Sequence, residues 1–110
     1  MLTGKFPLDH RMKQSVPEKF SREMGLTVDE FLRTLPAAIK PLNLVLRGNA
    51  ISIAHEQGAI LINLHPTGER RIASIRLPVT RVDFDFTGIQ LDERSMFMQR
   101  FELYFHRGGG

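Results

Sequence analysis

The stretch RRIASIRLPVTRVDFDFTGIQLDERSMFMQRFELYF, residues 70–105, changes its period part-way along. From Ile72 to Phe86 apolar and polar residues alternate and β-branched and aromatic types are frequent, the pattern of a half-buried strand. Thr87-Gly88 interrupts it, and beyond Asp92 the aromatics recur at helical spacing. At about 100° per residue, Phe97, Met98, Phe101, Tyr104 and Phe105 fall within one sector of a helix. Phe97, Phe101, Leu103 and Phe105 also share one strand parity, but the Met, Gln, Glu and Arg content and the lack of β-branched residues favour helix. Asp92 is placed to cap it, with Leu91 and Met96 in staple positions. The segment predicts an α+β fold: an antiparallel meander of about five strands with N-terminal helices and a C-terminal helix packed on one face.

Upstream, the period of two continues. Leu42, Leu44 and Leu46 alternate ahead of Gly48-Asn49, a two-residue hairpin signal, and Ile51 and Ile53 return from it. After a turn from His55 to Gly58, Ile60, Ile62 and Leu64 make a third strand closed by Pro66-Thr67-Gly68. A fourth starts near Arg70 with Ala73, Ile75 and Leu77 on one face, and Val82, Phe84 and Phe86 supply the last inward row. The inward rows switch between even and odd numbers at each turn, as antiparallel pairing across even-length loops requires. Pro78 either bends one long strand or separates two.

Residues 1–16 lack periodicity and read as a flexible arm ahead of a single domain over 17–107, with a glycine tail at 108–110. Pro17 suits the first turn of a short helix, with Phe20 and Met24 one turn apart and Gly25 as its stop. Thr27 and Glu30 then have capping-box spacing, and Leu26 and Phe31 occupy the staple positions. Val28, Phe31, Leu32, Leu35 and Ile39 form one apolar helical face, which Pro36 is expected to end or kink near Leu35.

The totals narrow the classes. A chain of 110 residues has room for one core, and 42% hydrophobic with 25% charged residues is the balance of a folded domain. The absence of Cys removes disulfides, thiolate metal sites and thiol nucleophiles, so a cytoplasmic location is the expectation. No signal-peptide core is visible and no apolar run approaches the roughly 20 residues that span a bilayer, so no membrane partner is expected. The net charge of +3 comes from scattered residues of both signs, which permits anionic partners without singling them out.

Chemistry-bearing constellations are sparse. Asp83 and Asp85 project from one strand face, where alternation alone places polar residues. His10, His55, His65 and His106 show no zinc-type i, i+4 spacing, the serines lack a nucleophile elbow, and there is no phosphate-binding glycine loop. No catalytic residue, metal site or cofactor is expected. Arg70, Arg71, Arg76 and Arg81 form a candidate anion or nucleic-acid surface. Phe84, Phe86, Phe97, Phe101 and Tyr104 are candidate pocket lining beneath the C-terminal helix. Met96 and Leu103 lie off the buried sector and mark a candidate partner surface, for an unidentified protein or for self-association. The order of expectation is a non-enzymatic interaction module, then a small-ligand pocket protein or enzyme, then weak nucleic-acid binding through an arginine-bearing sheet face.

Overall fold

The structure is a computed structural model that describes residues 16–107, the last by its backbone alone. Strand β1 (Lys19–Met24) is followed by helix α1 (Val28–Ile39), strands β2 (Leu44–Arg47), β3 (Ala50–His55), β4 (Gly58–Ile72) and β5 (Ile75–Asp85), and helix α2 (Leu91–Arg107). The strands form one antiparallel sheet in the order β1-β5-β4-β3-β2. This is the expected α+β class with a five-stranded antiparallel sheet. Both helices cover one sheet face; the other is open and carries Ser21, Asn63, Arg81, Asp83 and Asp85.

The segment Pro17–Gly25, expected as a helix, is strand β1, so a single helix lies between it and the meander. Phe20, Arg22 and Met24 turn inward while Lys19, Ser21 and Glu23 face water. Phe20 and Met24 fit a helix face and a strand face equally, and a charged residue at the middle inward position hides the alternation. Arg22 is accommodated there by a two-pronged ion pair with Glu102 of α2 and by the Phe101 ring, 5.7 Å from its guanidinium carbon. The arm expected over residues 1–16 lies outside the described residues up to Ser15. Val16 is held by its carbonyl, which accepts from Arg94 Nε at 3.0 Å. The glycine tail also lies outside them.

The capping box is present: Thr27 Oγ1 accepts from the Glu30 N–H at 3.0 Å, and Glu30 Oε1 accepts from the Thr27 N–H at 2.8 Å. Pro36 does not end α1, which continues to Ile39. The proline is on the exposed side, where the backbone bond it forgoes is open to water. Beyond it, Arg100 of α2 donates to the Ala37 and Ala38 carbonyls at 3.2 and 3.0 Å. Those contacts put a cation at the carboxyl end of a helix whose own last turn has none.

The largest departure lies in the hairpin. The expected third and fourth strands are one strand, β4, running through Pro66-Thr67-Gly68 with a register shift between Pro66 and Gly68. The chain reverses instead at Ala73-Ser74, where Ile72 pairs with Ile75, and β5 runs unbroken through Pro78. Ala73 takes φ +55°, the left-handed backbone of a tight turn. The extra residue at the bulge cancels the parity switch of the two-residue turn, so β4 and β5 both send even-numbered residues inward. Ile75 and Leu77, expected on an inward row, are exposed. At the other junction α2 begins at Leu91, so Asp92 sits inside its first turn.

The core lies between sheet and helices. Ile51, Ile53, Ile60, Ile62, Val82, Phe84 and Phe86 face Phe31, Leu35, Ile39, Met98, Phe101 and Phe105. One buried polar side chain ties the sheet to the start of α1: Thr80 Oγ1 donates to the Leu26 carbonyl at 2.8 Å. Thr80→Val keeps the shape and leaves that carbonyl unpaired. A loss of about 1–2 kcal/mol is expected, read as a lower urea midpoint at unchanged slope; Thr80→Ser should recover most of it.

Candidate functional site

Among the described residues, three of the surfaces that gather side chains the core does not use bear on the candidate sites. The first is the end of the β4–β5 hairpin. Strand β3 pairs with β4 only as far as Asn63, and β1 pairs with β5 only from Thr80 onward. From Thr67 to Val79 the two strands therefore form ladder pairs only with each other, and residues 67–77 are all exposed. At about 3.3 Å per residue, the six residues from Thr67 to Ile72 extend about 20 Å as an arm.

Cross-strand partners share a face. One face of the arm carries Arg70 opposite Leu77 and Ile72 opposite Ile75, and it continues the open face of the sheet. Ile72, Ile75 and Leu77 are 53%, 58% and 38% exposed, a contiguous apolar row in water. The opposite face carries Arg71 directly across from Arg76, with Glu69 across from Pro78. Like charges placed so repel each other, and among the described residues the carboxylate that meets this pair is Glu69, 3.9 Å from Arg76. The four arginines of the candidate anion surface are thus not one patch. Arg71 and Arg76 share one side of the arm; Arg70 pairs with Glu23 at 2.8 Å, and Arg81 lies in the sheet against Asp83 at 3.1 Å.

The second surface is a polar row across the open sheet face. Asp83 accepts from Ser21 Oγ at 2.5 Å, from Arg81 Nε at 3.1 Å, and bonds His65 Nε2 at 2.9 Å. The Ser21 hydroxyl, followed by Arg81 and His65, holds the Asp83 carboxyl below the ordinary aspartate range against the contrary pull of partial burial. Asp85 is lowered in the same sense by the hydroxyl and N–H of Thr87. Asp83 and Asp85 are therefore occupied by separate sets of donors. Among the described residues, no group of three or more histidine or carboxylate side chains is placed to hold a metal.

The third is a groove of about 320 Å³ between the end of α1, the Lys40–Pro41 segment, the end of β3 and the first half of α2. Its walls include Ile39, Leu42 and Phe97, and its mouth holds Lys40, Glu93 and Arg100. His55 sits beside it with a side chain 11% exposed. The Gln57 N–H donates to its Nδ1 at 3.0 Å, so that nitrogen is an acceptor and the proton is on Nε2, which reaches Glu93 Oε1 at 3.2 Å. Both ring nitrogens are thus hydrogen-bonded within the fold.

Met96 is 58% exposed on the groove rim, and Leu103, 57% exposed, lies two turns further along the same face of α2. Arg100 between them is fastened to α1 and stacks on Tyr104 at 5.4 Å. Of the candidate pocket residues, Phe97 lines the groove. Phe84, Phe86 and Phe101 are packed ring to ring in the core, and Tyr104 is half-buried beside it. The His55–Glu93 pair was not foreseeable from the sequence, because its members stand 38 residues apart with no motif joining them.

No family model, curated protein or solved structure matches the chain. Among the described residues, no helix is long and apolar enough to cross a membrane.

The lowered carboxyls fix the sign of an acid response. A carboxylate whose folded value lies below its ordinary 3.8 contributes stability that is complete above that value. The contribution is lost as the pH falls from there through the folded value. Urea midpoints taken down this acid limb should drop more steeply for the natural chain than for Asp83→Asn or Asp85→Asn. Parallel limbs would show that the donors do not act on these groups.

Proposed function

We propose that the chain is a non-enzymatic binding module whose docking element is the β4–β5 arm. The observation that carries this reading is the row Ile72, Ile75 and Leu77, held in water on a hairpin that adds nothing to the core. Apolar side chains exposed on a protruding element gain their burial only from a partner. Arg71 and Arg76 on the other side, mutually repelling across the strands, add a charge preference. The partner is a protein offering an apolar cleft with an acidic border. Nucleic acid suits the arm less well, because its arginines are divided between faces and Arg70 is already paired with Glu23.

A photo-crosslinking residue at Ile75, with Gln99 as the control position, tests the reading in extracts of cells that make the protein. The expected result is one protein adduct from Ile75, abolished by Leu77→Asp and reduced several-fold by Arg71→Glu with Arg76→Glu, at unchanged thermal stability. Equal labelling from Gln99, survival of the adduct in Leu77→Asp, or sensitivity to nuclease would overturn it.

The groove favours a second reading, a site for a small apolar ligand whose polar end meets Glu93 and Arg100 at the mouth. Screening short-chain amides and acids by thermal shift should then find a compound that raises the melting temperature. The rise should be lost in Met96→Lys, which alters the rim and not the core; a flat response across the series would count against it.

A further inference from the structure

We infer that the β2 edge of the sheet is a docking surface for a second copy of this chain. The two edges of the sheet differ in kind. At β1 the edge strand KFSREM carries Lys19, Arg22 and Glu23, the sort of charges that discourage a further strand from adding. At β2 the strand LVLR has no charge before its last residue and no proline or bulge. Val45 and Leu46 are 59% and 43% exposed, and Leu61, two strands inward, is 40% exposed. Apolar surface thus flanks this edge on both sides of the sheet. On the helix side are Leu46 and the groove rim with Leu42 and Met96; on the open side are Val45 and a shallow depression that Ala50, Ser52 and Leu61 help to line.

The hydrogen-bonding pattern sets the register a second copy can take, and the side chains of β2 match themselves in it. Arg47 and Ala50 close the two-residue Gly48-Asn49 turn and exchange their backbone bonds, as do Val45 and Ser52. Leu44 and Leu46 stand at the alternate positions, so their N–H and C=O groups point away from the sheet. A second copy can add antiparallel about a two-fold axis perpendicular to the sheet with Leu44 opposite the partner's Leu46. In that register Val45 meets the partner's Val45 on the axis, and about four main-chain bonds form.

The side chains agree with this placement. Leu44 and Leu46 meet the partner's leucines on the helix side, the two Val45 side chains touch on the open side, and Asn43 lies opposite the partner's Arg47. No like charges face each other. Moving the axis to Leu46 would set Val45 against the partner's Arg47 and Leu44 against the partner's Gly48. Gly48 is in the turn at φ +62°, so the pairing would be shortened. A strand of four residues makes a small interface, so the dimer should be a reversible one in the micromolar range. It is independent of the arm, which starts two strands away.

The chain has no cysteine, so a single introduced thiol reports the register without interference. In Val45→Cys the two thiols face each other in a non-hydrogen-bonded pair with Cα atoms about 4.5 Å apart, close enough to bridge. Mild oxidation should give a disulfide-linked dimer at least ten times faster than with Arg47→Cys, which stands opposite Asn43 rather than its own copy. Light scattering across a dilution series should show wild type passing from dimer to monomer. Val45→Lys should remain monomeric throughout with an unchanged melting temperature at low concentration, while Ile75→Asp on the arm still dimerises. A wild-type monomer at the highest concentration, equal oxidation rates for the two thiol variants, or a dimer that survives Val45→Lys would overturn the inference.

Discussion

A sheet covered on one side has to find its burial there, and in this chain that burial is carried by a run of stacked rings. Phe20 of β1 lies 4.8 Å from Phe84 of β5, Phe84 meets Phe101 of α2 edge-on at 5.3 Å, and Phe101 stacks on Phe105 at 4.1 Å. Phe105 in turn reaches Phe31 of α1 at 4.8 Å. Strand, strand, helix and helix are joined in one line of contact, each pair adding about 0.5–1.5 kcal/mol beyond the area it buries. The secondary devices depend on that line. Arg22 spans from β1 to Glu102 because Phe101 holds α2 over the strand, and Arg100 reaches the end of α1 because Phe31 and Phe105 fix the two helices side by side.

What was legible in the sequence was what a few neighbouring residues decide. Thr27 and Glu30 announce a helix start because the two hydrogen bonds of the box need only a three-residue spacing. The aromatic spacing of α2 could be read for the same reason. The hairpin at Gly48-Asn49 was also local. Strand β1 was not, because Arg22 occupies an inward position that only a carboxylate and a ring from α2, 80 residues on, make acceptable. The arm was obscured by turn residues used for something else. Pro66-Thr67-Gly68 makes a bulge and Pro78 sits within a strand, while the reversal falls on Ala73-Ser74, which carry no turn signature.

The same division holds for the surfaces. Met96 and Leu103 could be marked as outward from helical angles alone, and Asp83 with Asp85 from strand alternation. That Asp83 would bond Ser21 and His65, or that His55 would meet Glu93, depends on strand order and helix placement, which no local pattern encodes. The arginines show the converse case. Four of them cluster in the sequence, yet one extra residue at the bulge and the alternation of the strands send them to different sides.

The arm has a further consequence for how such a chain can change. None of residues 67–77 is buried, and surface substitutions away from special features generally move stability by no more than about 0.5 kcal/mol. The body is assembled without them, so they are released from the selection that guards the core. Descendants of one ancestral gene can therefore vary the hairpin while keeping the same aromatic frame. Divergence among relatives should concentrate in this short segment.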